Sequence, residues 1–208
     1  TESYLENKKK ILFYAAELGD MTLLNLLKKE TLINDARANN NYALRWAARN
    51  GHVDVLRFLK DNFDLTANDA RAFDNSALER ASENGHVDVL RFLKHEFGLT
   101  ADDARANDNY ALGRAALNGH VEVLRVLKHE FGLTADDARA NNNRALRWAA
   151  EKGHVEVLRF LKDEFGLTAQ DARDYDNDAL RSAAANGHLD VVTFLQQEPH
   201  LINLVLYF

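Results

Sequence analysis

Residues 41–60 read NYALRWAARNGHVDVLRFLK. Leu44, Ala47, Ala48 and Gly51 fall at i, i+3, i+4 and i+7, which is one stripe of a helix. Beyond Gly51-His52 a second helical pattern begins, with Val55, Leu56 and Leu59 on one face. The alanines of the first stripe let a neighbouring helix approach closely, and Leu44 fills the remaining gap. Gly51 suits the left-handed conformation that ends a helix. The stretch therefore predicts a helix–turn–helix pair, which buries its faces only by stacking on further pairs.

Working outward, the Gly-His dipeptide of this stretch recurs at 51–52, 85–86, 119–120, 153–154 and 187–188, always 34 residues on. Asp-Ala-Arg recurs with the same interval at 35–37, 69–71, 103–105, 137–139 and 171–173. Cutting at that period gives 39–72, 73–106, 107–140, 141–174 and 175–208. Residues 1–38 hold a diverged copy, with Gly19-Asp20 in place of Gly-His. Six copies cover 1–208 as one domain and leave no room for a second. Phe63, Phe97, Phe131 and Phe165 are expected to close the core at the end of each second helix.

A turn glycine followed by histidine and a Val-x-Val-Leu-x-x-Leu helix, in register in five copies, resembles the ankyrin repeat. The competing 34-residue family, the tetratricopeptide repeat, would need longer helices and a proline near each repeat end, and this chain has one proline, Pro199. Two features depart from the ankyrin pattern. Its Thr-Pro-Leu-His tetrapeptide reads Tyr42-Ala43-Leu44-Arg45 here. Its hairpin segment is replaced by stretches such as Gly98-Leu99-Thr100-Ala101-Asp102-Asp103-Ala104-Arg105. There Thr100 and Asp103 have the spacing of a capping box, as do Thr66/Asp69, Thr134/Asp137 and Thr168/Asp171. A short third helix is expected in place of the hairpin. The resemblance thus implies an all-α, ankyrin-like helical solenoid of six stacked repeats. Residues 1–38 and 175–208 would be its N- and C-terminal capping repeats. It also implies a non-enzymatic protein–protein interaction scaffold, binding on the concave surface lined by the first helix of each repeat, here called helix A.

Composition narrows the remaining classes. Apolar residues make up 46% and charged residues 28%, a globular profile. The absence of cysteine excludes disulfide stapling, thiolate zinc sites and a cysteine nucleophile. The longest purely apolar run, Leu204–Phe208, is far short of the ~20 residues of a membrane helix. No secretory signal is legible at Thr1–Ile11. These features suggest a cytoplasmic or otherwise intracellular protein without membrane contact, in a host-cell compartment if the source is an intracellular parasite or virus. The start at threonine is compatible with a processed chain or a fragment of a longer array.

Catalytic and metal chemistry finds little purchase. Five of the eight histidines lie one per repeat in the Gly-His turns, too openly spaced to converge on a metal ion. Each is expected to bond the loop backbone beside its turn. His95 and His129, beside Glu96 and Glu130, are expected on a solvated surface. The aspartates at 69, 103, 137 and 171 recur with the fold unit, as caps do, whereas a catalytic acid needs one asymmetric site. No phosphate loop or nucleophile elbow is present. No enzyme activity, cofactor, metal or catalytic residue is expected.

A binding surface is better marked. With repeats numbered from 1 at residues 39, 73, 107, 141 and 175, positions 6, 9, 10 and 13 hardly change. Positions 4, 7, 8 and 11 form a second helical stripe, and these vary. They read Tyr42, Arg45, Trp46, Arg49; Ser76, Glu79, Arg80, Glu83; Tyr110, Gly113, Arg114, Leu117; Arg144, Arg147, Trp148, Glu151; and Asp178, Arg181, Ser182, Ala185. Helix B stays nearly constant, with Arg57, Arg91, Arg125 and Arg159 on its outer face. Variation confined to one face of a fixed scaffold marks recognition, and Trp, Tyr and Arg are hot-spot residues. The candidate contacts are Tyr42, Arg45, Trp46, Arg49, Glu79, Arg80, Tyr110, Arg114, Arg144, Arg147, Trp148, Glu151 and Arg181. The stripe is net basic on a chain of net charge −6, so the expected partner is a protein with an acidic surface or segment.

Three alternatives stay open. Trp46 and Trp148 would also fit the groove between neighbouring A helices without binding anything. The Arg/aromatic stripe would suit RNA or single-stranded nucleic acid, although Glu79, Glu83, Glu151 and Asp178 interrupt a basic track. Near-identical copies also characterise designed or consensus-like scaffolds with no evolved partner. The apolar tail 201–208 is expected to fold back as a cap on the last helix pair of a monomer, with self-association as its alternative.

Overall fold

The structure, a computed structural model, describes residues 2–28 and 33–197. The chain divides into two compact units, 1–106 and 107–208. Unit 1 contains α1 (Glu2–Leu18), α2 (Met21–Leu27), α3 (Ile33–Ala36), α4 (Ala38–Arg49), α5 (Val53–Phe63), α6 (Ala67–Ala70), α7 (Ala72–Glu83), α8 (Val87–Phe97) and α9 (Ala101–Ala104). Unit 2 is built from α10 (Ala106–Leu117), α11 (Val121–His129), α12 (Ala135–Glu151), α13 (Val155–Phe165), α14 (Ala169–Ala185) and α15 (Leu189–Gln197). No strand occurs among the described residues. The fold is therefore all-α, built from stacked helix pairs within each unit.

Helix A is α1, α4 and α7 in unit 1, and the C-terminal part of α10, α12 and α14 in unit 2. In unit 1, α4 packs between α1 and α7, while α5 packs on α8. In unit 2, α12 packs on α14, and α13 contacts α11 and α15. The invariant stripe carries this packing. Leu44, Ala47, Ala48, Val55, Leu56 and Leu59 are fully or almost fully buried, and so are Leu146, Ala149 and Ala150. Phe63, Phe97, Phe131 and Phe165 are buried as expected. Each fully buried Leu or Val contributes about 1.5–3 kcal/mol of apolar transfer. The alanines contribute by allowing close approach.

Within each unit, Gly-His turns join one repeat to the next. His52 Nε2 donates to the Glu17 carbonyl (3.0 Å), and His86 Nε2 to that of Arg49 (2.8 Å). In unit 2, His154 and His188 reach the carbonyls of Leu117 and Glu151, both at 3.0 Å. A carbonyl only accepts, so Nε2 carries the proton in each ring. Each ring also lies on the glycine of the preceding turn. A Cβ at Gly51 would stand 2.8 Å from His86 Nδ1, and one at Gly153 2.6 Å from His188 Nδ1. Gly51 at φ +80° therefore serves both the left-handed turn and its neighbour's histidine.

The capping boxes form, and they do a second job. Asp69 Oδ2 accepts from the Thr66 N–H (2.8 Å) and hydroxyl (3.1 Å). Asp69 is also gripped at both oxygens by Arg37 of the preceding repeat, Nε at 2.7 Å and Nη2 at 3.0 Å. Arg71–Asp103 (2.7 and 3.1 Å) and Arg139–Asp171 (2.7 and 3.2 Å) repeat the bidentate pair. Burial alone would push these carboxyls up. The guanidinium and threonine donors outweigh it and hold Asp69, Asp103 and Asp171 below the usual aspartate range.

The short third helix is present, as α6 and α9 in unit 1 and as the first turns of α12 and α14. Between it and helix A the backbone makes an unanticipated turn. Asn39-Asn40-Asn41, Phe73-Asp74-Asn75, Asn107-Asp108-Asn109, Asn141-Asn142-Asn143 and Tyr175-Asp176-Asn177 all adopt left-handed dihedrals, with φ between 51° and 59°. That region costs most residues about 1–2 kcal/mol each and Asn or Asp less. The third position is Asn every time. Phe73 and Tyr175 hold the first position despite their bulk, and both are exposed.

The charged stretch Glu6–Lys10 lies within α1, and later in that helix Ile11, Tyr14 and Leu18 are exposed. The tail 201–208 lies outside the described residues.

Candidate partner-binding site

All thirteen candidate contacts are described. None is buried, although Ser76 and Gly113 of the same stripe are, and only Arg80 and Arg181 are exposed. The other eleven are half-buried, as befits side chains packed along one edge and open along the other. Helix A holds them in register because positions 6, 9 and 10 are fixed in the core.

In unit 1 the site is a ladder of rings and guanidinium groups. Phe13 lies 4.7 Å from Tyr42 between ring centroids, and Tyr42 stacks on Trp46 at 5.3 Å. The Arg49 guanidinium covers Trp46 at 4.3 Å. Arg45 lies over the Phe73 ring at 4.8 Å and near Tyr42 at 6.0 Å. Burial and the Glu17 carboxylate push the Tyr42 phenol up, so it stays neutral. Arg80 pairs with Glu83 at 2.9 Å. Arg45, Trp46, Arg49, Ser76 and Arg80 line a shallow cleft of about 50 Å³.

Unit 2 arranges similar residues differently. Tyr110 meets Trp148 edge-on at 6.3 Å. Arg114 lies 4.7 Å from the Tyr110 centroid and 5.7 Å from Trp148, and Arg144 lies 5.9 and 5.4 Å from the same rings. Arg114 Nη2 also donates to the Tyr110 hydroxyl. Gly113 makes room for this group, since a Cβ there would be 3.3 Å from Trp148 Cζ3. Arg147 pairs with Asp178 (3.1 Å), which Arg181 also approaches (3.5 Å), and Glu151 pairs with Lys152 (2.9 Å).

Two stripe arginines have an internal task that sequence spacing did not disclose. Arg45 donates through Nε to the Asn40 carbonyl (2.8 Å) and through Nη2 to that of Asn39 (3.0 Å). Arg147 does the same for Asn142 (2.9 Å) and Asn141 (3.3 Å). Both thereby satisfy carbonyls of the left-handed turn. Each also stacks on the next repeat's aromatic, Phe73 or Tyr175, the latter at 4.9 Å. An aromatic at position 1 occurs only after an arginine at position 7, a pairing visible in the sequence once the repeats are aligned. Phe13, Phe73 and Tyr175 join the site beyond the stripe read from sequence, and Ser76 and Asp178, on the stripe but not among the thirteen candidate contacts, join it as well. Glu79 is half-buried on the same face of α7.

The constant arginines of helix B also gain a reason. Arg57 covers Phe92 at 5.1 Å, Arg125 covers Phe160 at 5.1 Å and Arg159 covers Phe194 at 5.2 Å. They pack one repeat on the next. His129 meets Glu164 at 3.2 Å, and no group of three or more metal-ligating side chains occurs among the described residues.

The stacked helix pairs, the Gly-His joints and the capped short helices together define a repeat protein. The family described as ankyrin repeats, in three copies, matches residues 12–104, 78–171 and 112–204, and this chain belongs to it. Ankyrin repeats are generally protein–protein interaction modules and generally non-enzymatic. Among solved structures, an ankyrin repeat family protein from Legionella pneumophila is 24% identical, with 97% of this chain and 72% of that one covered and a TM-score of 0.49. No curated protein matches the chain. Among the described residues no helix is long and apolar enough to cross a membrane.

Proposed function

We propose that this protein is a non-enzymatic interaction module that captures a partner protein on the helix-A face, and that the partner offers an acidic segment. The observation that carries this reading is the composition of the face. Both tryptophans of the chain, Trp46 and Trp148, lie there beneath arginine guanidinium groups, half open to solvent. Aromatic anchors flanked by arginines supply contact area and bidentate donors together.

The test is capture from extracts of the native host by three proteins: wild type, Trp148→Ala with Arg144→Ala, and Arg91→Ala on helix B. Arg144 is a better companion than Arg147, because it makes one long bond to a turn carbonyl, Asp108 at 3.4 Å, whereas Arg147 holds two, at 2.9 and 3.3 Å. A protein retained by wild type and by the helix-B variant, but lost from the helix-A double variant with unchanged helical circular dichroism, is the expected outcome. A retained set indifferent to the helix-A substitutions would overturn the reading.

A further inference from the structure

We propose that the cleft bounded by Arg45, Arg49, Ser76 and Arg80 in unit 1 receives a side-chain carboxylate from an acidic segment of the partner protein. In unit 2 an aspartate of this same chain takes the corresponding place. The proposal rests on the helix-A reading above and assigns one subsite within it.

Arg45 and Arg147 lie three repeat periods apart in the sequence and are held identically. Each spends Nε and Nη2 on the two carbonyls of its left-handed turn. That fixes the guanidinium plane and leaves the remaining nitrogen, Nη1, uncommitted to the turn. In unit 2 position 4 of the next repeat is Asp178, and Arg147 Nη1 meets Asp178 Oδ2 at 3.1 Å. In unit 1 it is Ser76, which carries no charge. Arg45 has no carboxylate partner among the described residues. Burial, and after it the like charge of Arg80, lowers its pKa.

The neighbouring positions change in the same sense. Glu151 of unit 2 corresponds to Arg49, and Ser182 to Arg80. Arg49 has no acidic partner among the described residues and stacks on Trp46. Arg80 spends Nη1 on Glu83. These four positions sum to −1 in unit 2 and +3 in unit 1. The unit 1 cleft, of about 50 Å³, exceeds the roughly 10–15 Å³ that a cavity needs to hold one water. The excess charge, the uncommitted Nη1 and the precedent of Asp178 all point to a carboxylate. A phosphate would meet the same arginines, and the experiment separates the two.

The probe is a hexaglutamate peptide blocked at both ends, titrated into the full chain at low salt. Arginine Nε–Hε and tryptophan indole resonances are followed by NMR, with hexaglutamine and inorganic phosphate as comparison ligands. Hexaglutamate is expected to move the Arg45, Arg49 and Trp46 signals, and hexaglutamine to leave them. Ser76→Asp, which supplies the carboxylate from within, is expected to weaken binding tenfold or more. Ser76→Asn is expected to stay within threefold of wild type. The converse triple variant Asp178→Ser, Glu151→Arg, Ser182→Arg is expected to create a second site in unit 2. If Ser76→Asp proves misfolded by circular dichroism, Arg49→Glu carries the same test.

Undiminished binding by Ser76→Asp, or phosphate moving these signals where hexaglutamate does not, would overturn the inference. Should hexaglutamate move only Arg144 and Trp148 signals, the subsite falls and the helix-A reading stands. If it moves neither cluster, the acidic-partner reading falls with it.

Discussion

Arg45–Trp46 in unit 1 and Arg147–Trp148 in unit 2 are the same dipeptide at the same repeat position, yet their surroundings differ. The first has stacked rings on one side and on the other a cluster of three arginines, of which, among the described residues, Arg80 alone is ion-paired, with Glu83. The second has an edge-on tyrosine, two covering guanidinium groups and an internal ion pair to Asp178. What they share is backbone work, because both arginines hold the carbonyls of a left-handed turn. What they do not share lies at position 11 of the same repeat, Arg49 against Glu151, and at positions 4 and 8 of the next, Ser76 and Arg80 against Asp178 and Ser182. Repeat architecture thus separates the layer that must stay constant from the layer free to specialise, and position 7 serves both.

The constant layer yields the largest expected effect. Asp103→Ala in unit 1 and Asp171→Ala in unit 2 each remove a cap and one end of a bidentate pair. Hydrogen bonds to charged groups contribute about 1.5–3 kcal/mol and a helix cap about 1 kcal/mol. The arginine partners are partly exposed, which discounts the total to about 2 kcal/mol. Urea denaturation should report similar losses for the two variants. A difference above about 1 kcal/mol would show that the ladder is not a shared scaffold.

The same carboxylates set a pH dependence common to both units. Their folded-state pKa values lie below the unfolded value of about 3.9. Their contribution is therefore complete above roughly pH 5 and declines as pH falls through 3.9 toward the depressed folded values. Urea midpoints should fall across that window. Asp103→Asn should flatten the fall, and a variant as acid-sensitive as wild type would remove Asp103 from the account.

The variable layer should respond less and unequally. Asp178→Ser leaves Arg147 Nη1 without its partner at a half-buried position and is expected to cost about 1 kcal/mol. Ser76→Ala at the equivalent position should stay within about 0.5 kcal/mol. Equal losses in the two would mean that Ser76 carries a structural load of its own and that the units differ less than their charges suggest.

Much of this was legible in the sequence, for definite reasons. The stacked helix pairs follow from Leu44, Ala47 and Ala48 recurring with Gly51-His52, because buried contact positions tolerate little drift. The capping boxes followed from Thr-x-x-Asp spacing. The left-handed turn did not, since Asn, Asp, Phe and Tyr all occur within it, although an Asn at its third position in every repeat was its signature. The stripe was also legible as a place. The tasks of Arg45 and Arg147 were not, because their acceptors are main-chain carbonyls and carbonyls have no residue type. Asp178 and Ser76 acquire meaning only once adjacent repeats are stacked.

The smallest effect bears on whether Trp148 is an anchor or groove filling. Gly113 lies within a helix, where alanine is favoured over glycine by about 1 kcal/mol. Its added methyl would meet Trp148 Cζ3 at 3.3 Å, closer than ordinary packing, and Arg144 Cδ at 3.5 Å, an ordinary contact. Trp148 is half-buried, so its ring can retreat by a few tenths of an ångström toward solvent. Gly113→Ala is therefore expected to stabilise unit 2 by about 0.5 kcal/mol, with Trp148 emission shifted to the red. Destabilisation by more than about 1 kcal/mol would mean that Trp148 is fixed in the groove between A helices. The indole would then be core, and the binding role of unit 2 would pass to Arg114 and Arg144.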